Sequence, residues 1–194
     1  MENLLQEVRK CRICASSLPN PPKPILAVSE RTRILIIGQA PGQKVHDRGI
    51  PWEDQSGDTL REWLGVTKEQ FSNTALIGTM PMGFCFPGCS AGGSGDAPPR
   101  PECKPQWHER ILSHLTELKL TLIIGQYAMK AYLGENQKRN LTETVRAYRE
   151  YLPQYFPLVH PSPLNFRWHR KNPWFKNEVL PVLREKVQEI IMMN

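Results

Sequence analysis

Two loops and one acidic stretch carry the residue types that could do chemistry. The loop Gly38-Gln39-Ala40-Pro41-Gly42 leaves the apolar run Ile34-Leu35-Ile36-Ile37. The loop His160-Pro161-Ser162-Pro163-Leu164-Asn165 leaves the run Tyr155-Phe156-Pro157-Leu158-Val159. A glycine-bounded turn after a strand brings backbone N–H groups close to a ligand, or simply joins a strand to a helix. Ser162 between two prolines sits in a stiff turn, which suits preorganised hydrogen bonding. His160 at a strand end is either a donor to a substrate or a satisfied structural residue. The stretch Trp52-Glu53-Asp54-Gln55-Ser56-Gly57 sets two acids beside an aromatic. They are either functional carboxylates or solvated loop acids. The first loop lacks both G-x-G-x-x-G and a Walker lysine, so a nucleotide cofactor is not expected.

Five cysteines form the second cluster: Cys11 and Cys14 as C-x-x-C, then Cys85, Cys89 and Cys103 in a glycine- and proline-rich segment. In a chain of this kind they argue for a metal before disulfides, against the alternative of unrelated thiols. Residues 80–103 cannot build an apolar core of their own, and Gly92-Gly93-Ser94-Gly95 reads as flexible.

The elements that must position these groups alternate. A short N-terminal helix uses Leu4, Leu5 and Val8, and a proline-rich connector runs from Pro19 to Pro24. Residues 31–38 predict a central strand, and the loop 38–56 is long enough to be functional. Residues 58–64 predict a helix stopped by Gly65, and Thr67-Lys68-Glu69-Gln70 a capping box. A second strand is expected over 73–78 and an amphipathic helix over 105–118. A third strand follows over 120–125, with helices over 126–133 and 141–151. A fourth strand is expected near 156–159. Asn172-Pro173 opens the last helix, which runs toward Ile191 with a kink at Pro181. The alternation predicts an α/β fold: a three-layer α/β/α sandwich with a central, mostly parallel four-stranded sheet, forming one domain over residues 1–194. In such sheets ligands bind at the carboxyl ends of the strands, so the two loops can line one pocket.

Length and charge bound the rest. At 194 residues the chain can bury a real core. The N-terminus lacks a basic-then-apolar leader, and no apolar run approaches the ~20 residues of a membrane span. A soluble, cytoplasmic, monomeric protein is expected, with no membrane partner. A net charge of +6 favours a polyanion, or belongs to a mildly basic enzyme. Arg167-Trp168-His169-Arg170-Lys171 interleaves cations with an aromatic, directly after the second loop.

Taken together, the loops 38–42 and 160–165 resemble the two signature motifs of the uracil-DNA glycosylase superfamily. The cysteine layout is similar to its iron–sulfur-containing, family-4/5-like branch. The resemblance runs from about Cys11 to the last helix. It implies a DNA glycosylase that hydrolyses the N-glycosidic bond of a deaminated base, uracil or a related one, in base-excision repair. The alternative is a non-cleaving module of the same fold for damaged or single-stranded DNA. A small-molecule α/β hydrolase is a third reading. The resemblance makes His160 the donor to the leaving base, Asp54 the catalytic carboxylate and Gln39 a water-positioning residue. It puts Gly38, Ala40, Pro41, Trp52, Ser162 and Asn165 against the substrate, Leu164 as the wedge that fills the gap left by a flipped base, and Arg170 and Lys171, with Arg167, on phosphates. It assigns Cys11, Cys14, Cys85 and Cys103 to a [4Fe–4S] cluster, with zinc as the alternative and Cys89 left over. Two departures stand out. Gln39 and Ala40 occupy positions where other branches place an acid or asparagine. The stretch Ile77-Gly78-Thr79-Met80-Pro81 lacks the asparagine that reads uracil. The basic insert of covalently trapping branches is also missing.

Overall fold

The structure, a computed structural model, describes residues 1–92 and 95–193. Its centre is a sheet of four strands: β1 (Ile34–Ile37), β2 (Ile77–Thr79), β3 (Leu120–Ile124) and β4 (Tyr155–Leu158). The order is β2-β1-β3-β4 and every pairing is parallel, rather than mostly so. Ile34 is in register with both Ile77 and Leu120, and Ile123 with Pro157. Every residue of β1, β2 and β3 is buried, which explains why these runs are continuously apolar instead of alternating. Pro157 lacks an N–H and is tolerated because β4 is an edge strand. At the other edge Ala27 pairs antiparallel with Thr79, so the connector into β1 covers the flank of β2.

The helices follow the chain. α1 is Glu2–Arg9, α2 Gln43–Arg48, α3 Gln55–Leu64 and α4 Lys68–Ser72. α5 is Glu109–Leu112, α6 Gly125–Leu133 and α7 Leu141–Arg146. α8 is Phe166–Lys171 and α9 Leu180–Met192. The chain moves one way from β1 to β2 and the other way from β2 to β3 and β4. Right-handed crossovers therefore put α3 and α4 on one face and α5, α6 and α7 on the other. The order reverses between β1 and β3, and the loops leaving their carboxyl ends flank that point. α9 seals the α3 face: Arg184 Nε donates to the Trp63 carbonyl at 3.3 Å, and Gln188 Nε2 to that of Gly65 at 2.9 Å. No helix among the described residues is long and apolar enough to cross a membrane.

Several expected boundaries shift for local reasons. The region 38–56 is not one loop, because α2 occupies its middle and ends on left-handed Gly49. The second strand begins at Ile77, not residue 73: Asn73 closes α4, and its carbonyl accepts from Leu76 and Ile77 N–H. The capping box is present, with Thr67 and Gln70 exchanging side-chain bonds. The helix expected over 105–118 is a π turn, Lys104–His108, followed by the short α5; Trp107, Ile111 and Leu115 still face the core. The one expected over 141–151 stops as α7 at Arg146, and a 3₁₀ turn covers Tyr148–Tyr151. The π turn Phe175–Val179 stands just before Pro181 and absorbs the hydrogen bond that proline cannot make. Of the expected flexible run, Gly93 and Ser94 lie outside the described residues.

Candidate functional site

A pocket of about 370 Å³ opens where the strand order reverses. Gly38, Gln39, Ala40 and Pro41 line one side, Trp52 and Asp54 a second, and His160, Ser162 and Leu164 a third. Two neighbouring segments thus meet a third, over a hundred residues further along the chain, around one space.

Loop 38–42 is anchored as an extension of the sheet. The carbonyls of Gly38 and Gln39 accept from Met82 N–H at 2.8 Å and Gly83 N–H at 3.0 Å. Gly38 gives room for an aromatic ring: a β-carbon there would lie 3.2 Å from Trp52 Cζ2. Trp52 itself has φ 57°, a left-handed conformation that a bulky residue adopts at a cost of about 1–3 kcal/mol. Gly57 makes room for it, because a β-carbon on Gly57 would lie 1.8 Å from the Trp52 carbonyl oxygen. The strained backbone turns the indole onto the pocket floor, 5.8 Å from the His160 ring.

Asp54 is the N-cap of α3, and its Oδ1 accepts from Gly57 N–H at 2.9 Å. That bond fixes the carboxylate at the pocket wall. Glu53 points elsewhere and pairs with Lys68 at 2.8 Å, so it does not line the pocket. His160 loses most of its hydration here. Burial pulls its imidazole below the usual range, with Asp54 opposing more weakly. The ring is therefore neutral at neutral pH and offers one N–H.

The second loop is braced from within. Ser162 Oγ accepts from Leu164 N–H at 3.2 Å. Asn165 does not line this pocket; its Nδ2 donates to the His160 carbonyl at 2.7 Å and so fixes the turn that carries the histidine. Leu164 is 76% exposed, which excludes a core role. Arg167, Arg170 and Lys171 are exposed on α8, close after Leu164 in sequence and outside the pocket. Gln39 lines the pocket, but its Nε2 is spent on the carbonyl of Ala97 at 2.9 Å and, more weakly, of Asp96 at 3.4 Å.

Asp96 is the residue that sequence reasoning missed. It lines the pocket mouth from within the glycine-rich segment, where nothing in the local pattern marks it. Thr79 and Pro81 complete the wall at the end of β2, where no asparagine stands. Behind that wall His108 is buried, stacked at 8° on Phe84. Its Nε2 faces the Pro81 carbonyl at 3.2 Å and its Nδ1 the Tyr132 hydroxyl at 2.6 Å. A carbonyl only accepts, so Nε2 carries the proton and Tyr132 donates to Nδ1.

Cys11, Cys14, Cys85 and Cys103 line one small cavity together with Leu18, Phe84 and Trp107. Cys89 is exposed and outside it. As free thiols these groups are hard to ionise: burial pushes Cys85 up to about 11 and Cys103 up to about 12. Among the described residues no group of three or more His, Cys, Asp or Glu is arranged to hold a metal ion.

An α/β protein with a parallel sheet and a pocket built from the loops after β1 and β4 is the class that fold and site define. The family model of the "Uracil DNA glycosylase superfamily" matches residues 27–184, and the chain belongs to that superfamily. Among solved structures it is similar to the "putative Uracil DNA glycosylase" of Methanosarcina acetivorans, determined by solution NMR. The two are 18% identical over 83% of this chain and 94% of that one, with a TM-score of 0.46.

Proposed function

We propose that this chain is a DNA N-glycosylase that removes a deaminated base. One observation carries the reading: Trp52, Asp54, His160 and Leu164 converge on a single pocket at the carboxyl ends of the strands. A base flipped from the stack enters against Trp52, while Leu164 fills the gap it leaves. The C1′–N bond breaks and its electron pair departs with the base. The neutral His160 N–H donates to the base oxygen where negative charge gathers. Asp54 stabilises the cationic sugar and orients water, whose oxygen bonds to C1′; its proton passes to the carboxylate and on to the departing base. Exposed cations on α8 meet the phosphates next to the wedge.

The absence of an asparagine at Thr79–Pro81 supports a base other than uracil, or a broad choice. The test is incubation with oligonucleotides carrying uracil, hypoxanthine or xanthine, scoring abasic sites. Release of one of them in a histidine- and aspartate-dependent manner supports the reading. Tight binding without release from any of them favours the non-cleaving module instead.

The same proposal extends to the four cysteines. Four thiols bordering one cavity, with the fifth outside it, support a [4Fe–4S] cluster by donor type and number, with zinc as the alternative; their side chains would have to turn toward one another to hold it. Bound there, the group would supply structural cross-linking, tying the N-terminal segment to residues 80–103.

A further inference from the structure

We propose that Asp96 is a second acidic group of the pocket, placed there by Gln39 to face the cationic sugar that forms as the base leaves. The inference rests on the glycosylase reading and deepens it. Loop 38–42 contributes no carboxylate of its own to the pocket, and Asp96 stands over it.

Gly88 and Cys89 lie against Asp96 and Ala97. Cys89 pairs antiparallel with Asp96, and Ala97 N–H donates to the Gly88 carbonyl at 2.8 Å. Gln39 Nε2 reaches across from loop 38–42 and holds the Ala97 carbonyl at 2.9 Å. That clamp brings the Asp96 carboxylate over loop 38–42, with Oδ2 3.2 Å from the place a β-carbon on Gly42 would occupy. Asp96 is open to solvent on its outer side, yet its carboxyl is held above the usual range, first by burial and then by the charge of Asp54.

The charge pattern decides what the acid is for. Asp54 and Asp96 both line the pocket, and among the described residues no lysine or arginine does. A protein of net charge +6 therefore keeps a negative pocket within a basic surface. A phosphate is repelled from such a pocket, whereas a group that becomes cationic is stabilised. The exposed cations on α8 take the phosphates outside, so the two signs are separated in space.

The experiment compares affinity for two duplexes, one carrying a cationic pyrrolidine abasic analogue and one a neutral tetrahydrofuran analogue. The parent protein is expected to prefer the cationic duplex. Asp96→Asn, a near-isosteric change at an exposed residue, should reduce the ratio of cationic to neutral affinity about fivefold or more. Asp96→Glu should retain the preference. Gln39→Ala should lose part of it, as a positioning residue would, while Gln39→Glu, which cannot donate to the Ala97 carbonyl, should not restore it. An unchanged preference in Asp96→Asn overturns the assignment, as does a parent with no preference. If the parent releases bases while Asp96→Asn keeps the parent's preference, Asp96 fails and the glycosylase reading stands. If no base is released but the preference shifts as expected, cleavage fails and the acidic site stands. A protein that binds neither duplex refutes both.

Discussion

The Trp52 and His160 rings lie 5.8 Å apart and are tilted by 31°, so the indole and the imidazole that line the pocket pack as one unit. The imidazole belongs to the turn after β4 and the indole to the turn before α3. His160 is braced from behind through the Asn165 side chain, and Gly57 makes room for the Trp52 carbonyl. Chemistry at this site should therefore respond to single side chains without loss of fold. Asp54→Asn and His160→Ala are each expected to slow single-turnover base release by at least ~10²-fold. DNA affinity, measured by fluorescence anisotropy, should change little. Full activity in Asp54→Asn would leave Asp96 as the principal carboxylate, because Glu53 is engaged by Lys68 outside the pocket.

The cysteines make a prediction of content and stability. Anaerobically purified protein is expected to be brown and to contain about four irons. Cys85→Ser should bleach it and lower its melting temperature, while Cys89→Ser should do neither, since Cys89 lies outside the shared cavity. A colourless preparation with one zinc would keep the ligand set and exchange the metal.

Leu164 and the α8 cations should separate in their effects. Leu164→Ala is expected to slow release from paired DNA more than from single strands, because only a duplex leaves a gap to fill. Replacing both Arg170 and Lys171 by Ala should weaken binding to all sequences. It should also lower the salt slope by roughly one unit per lost phosphate contact. A double mutant with the parent's affinity and slope would remove α8 from the interface.

Buried His108 gives the fold an acid limit. Burial lowers it from 6.5 to about 4, so the folded state holds it neutral while the unfolded chain takes up a proton below the ordinary histidine value. Its neutral form matches the folded pKa being depressed, and stability is full above about 6.5 and declines as pH falls toward 4. The loss by pH 4 is on the order of 3 kcal/mol. Urea midpoints across that window should fall steeply in the parent and less steeply in His108→Gln. An equal slope in both would place the acid sensitivity elsewhere. The same substitution disturbs the Pro81 wall, so it should also alter which base is accepted.

Much of this protein was legible in its residues. Runs such as Ile34–Ile37 and Leu120–Ile124 are too short and too uniformly apolar to be anything but buried parallel strands, and their order with the helices dictates the layered fold. Thr67 with Gln70, and Gly65, mark helix ends because capping is a local interaction that sequence spacing records. The loops after β1 and β4 were recognisable for the same reason: each is one continuous segment. Tertiary structure decided everything that depends on segments meeting. It gave Asn165 a bracing bond to the His160 carbonyl. It spent the Gln39 amide on a distant carbonyl and removed Glu53 from the pocket. It also brought Asp96 from a segment without periodicity to the mouth of the site, where its charge matters only because Asp54 is across the same space. A carboxylate's neighbours in three dimensions set its energy, and linear spacing does not encode them once a loop is closed by contacts over fifty residues away.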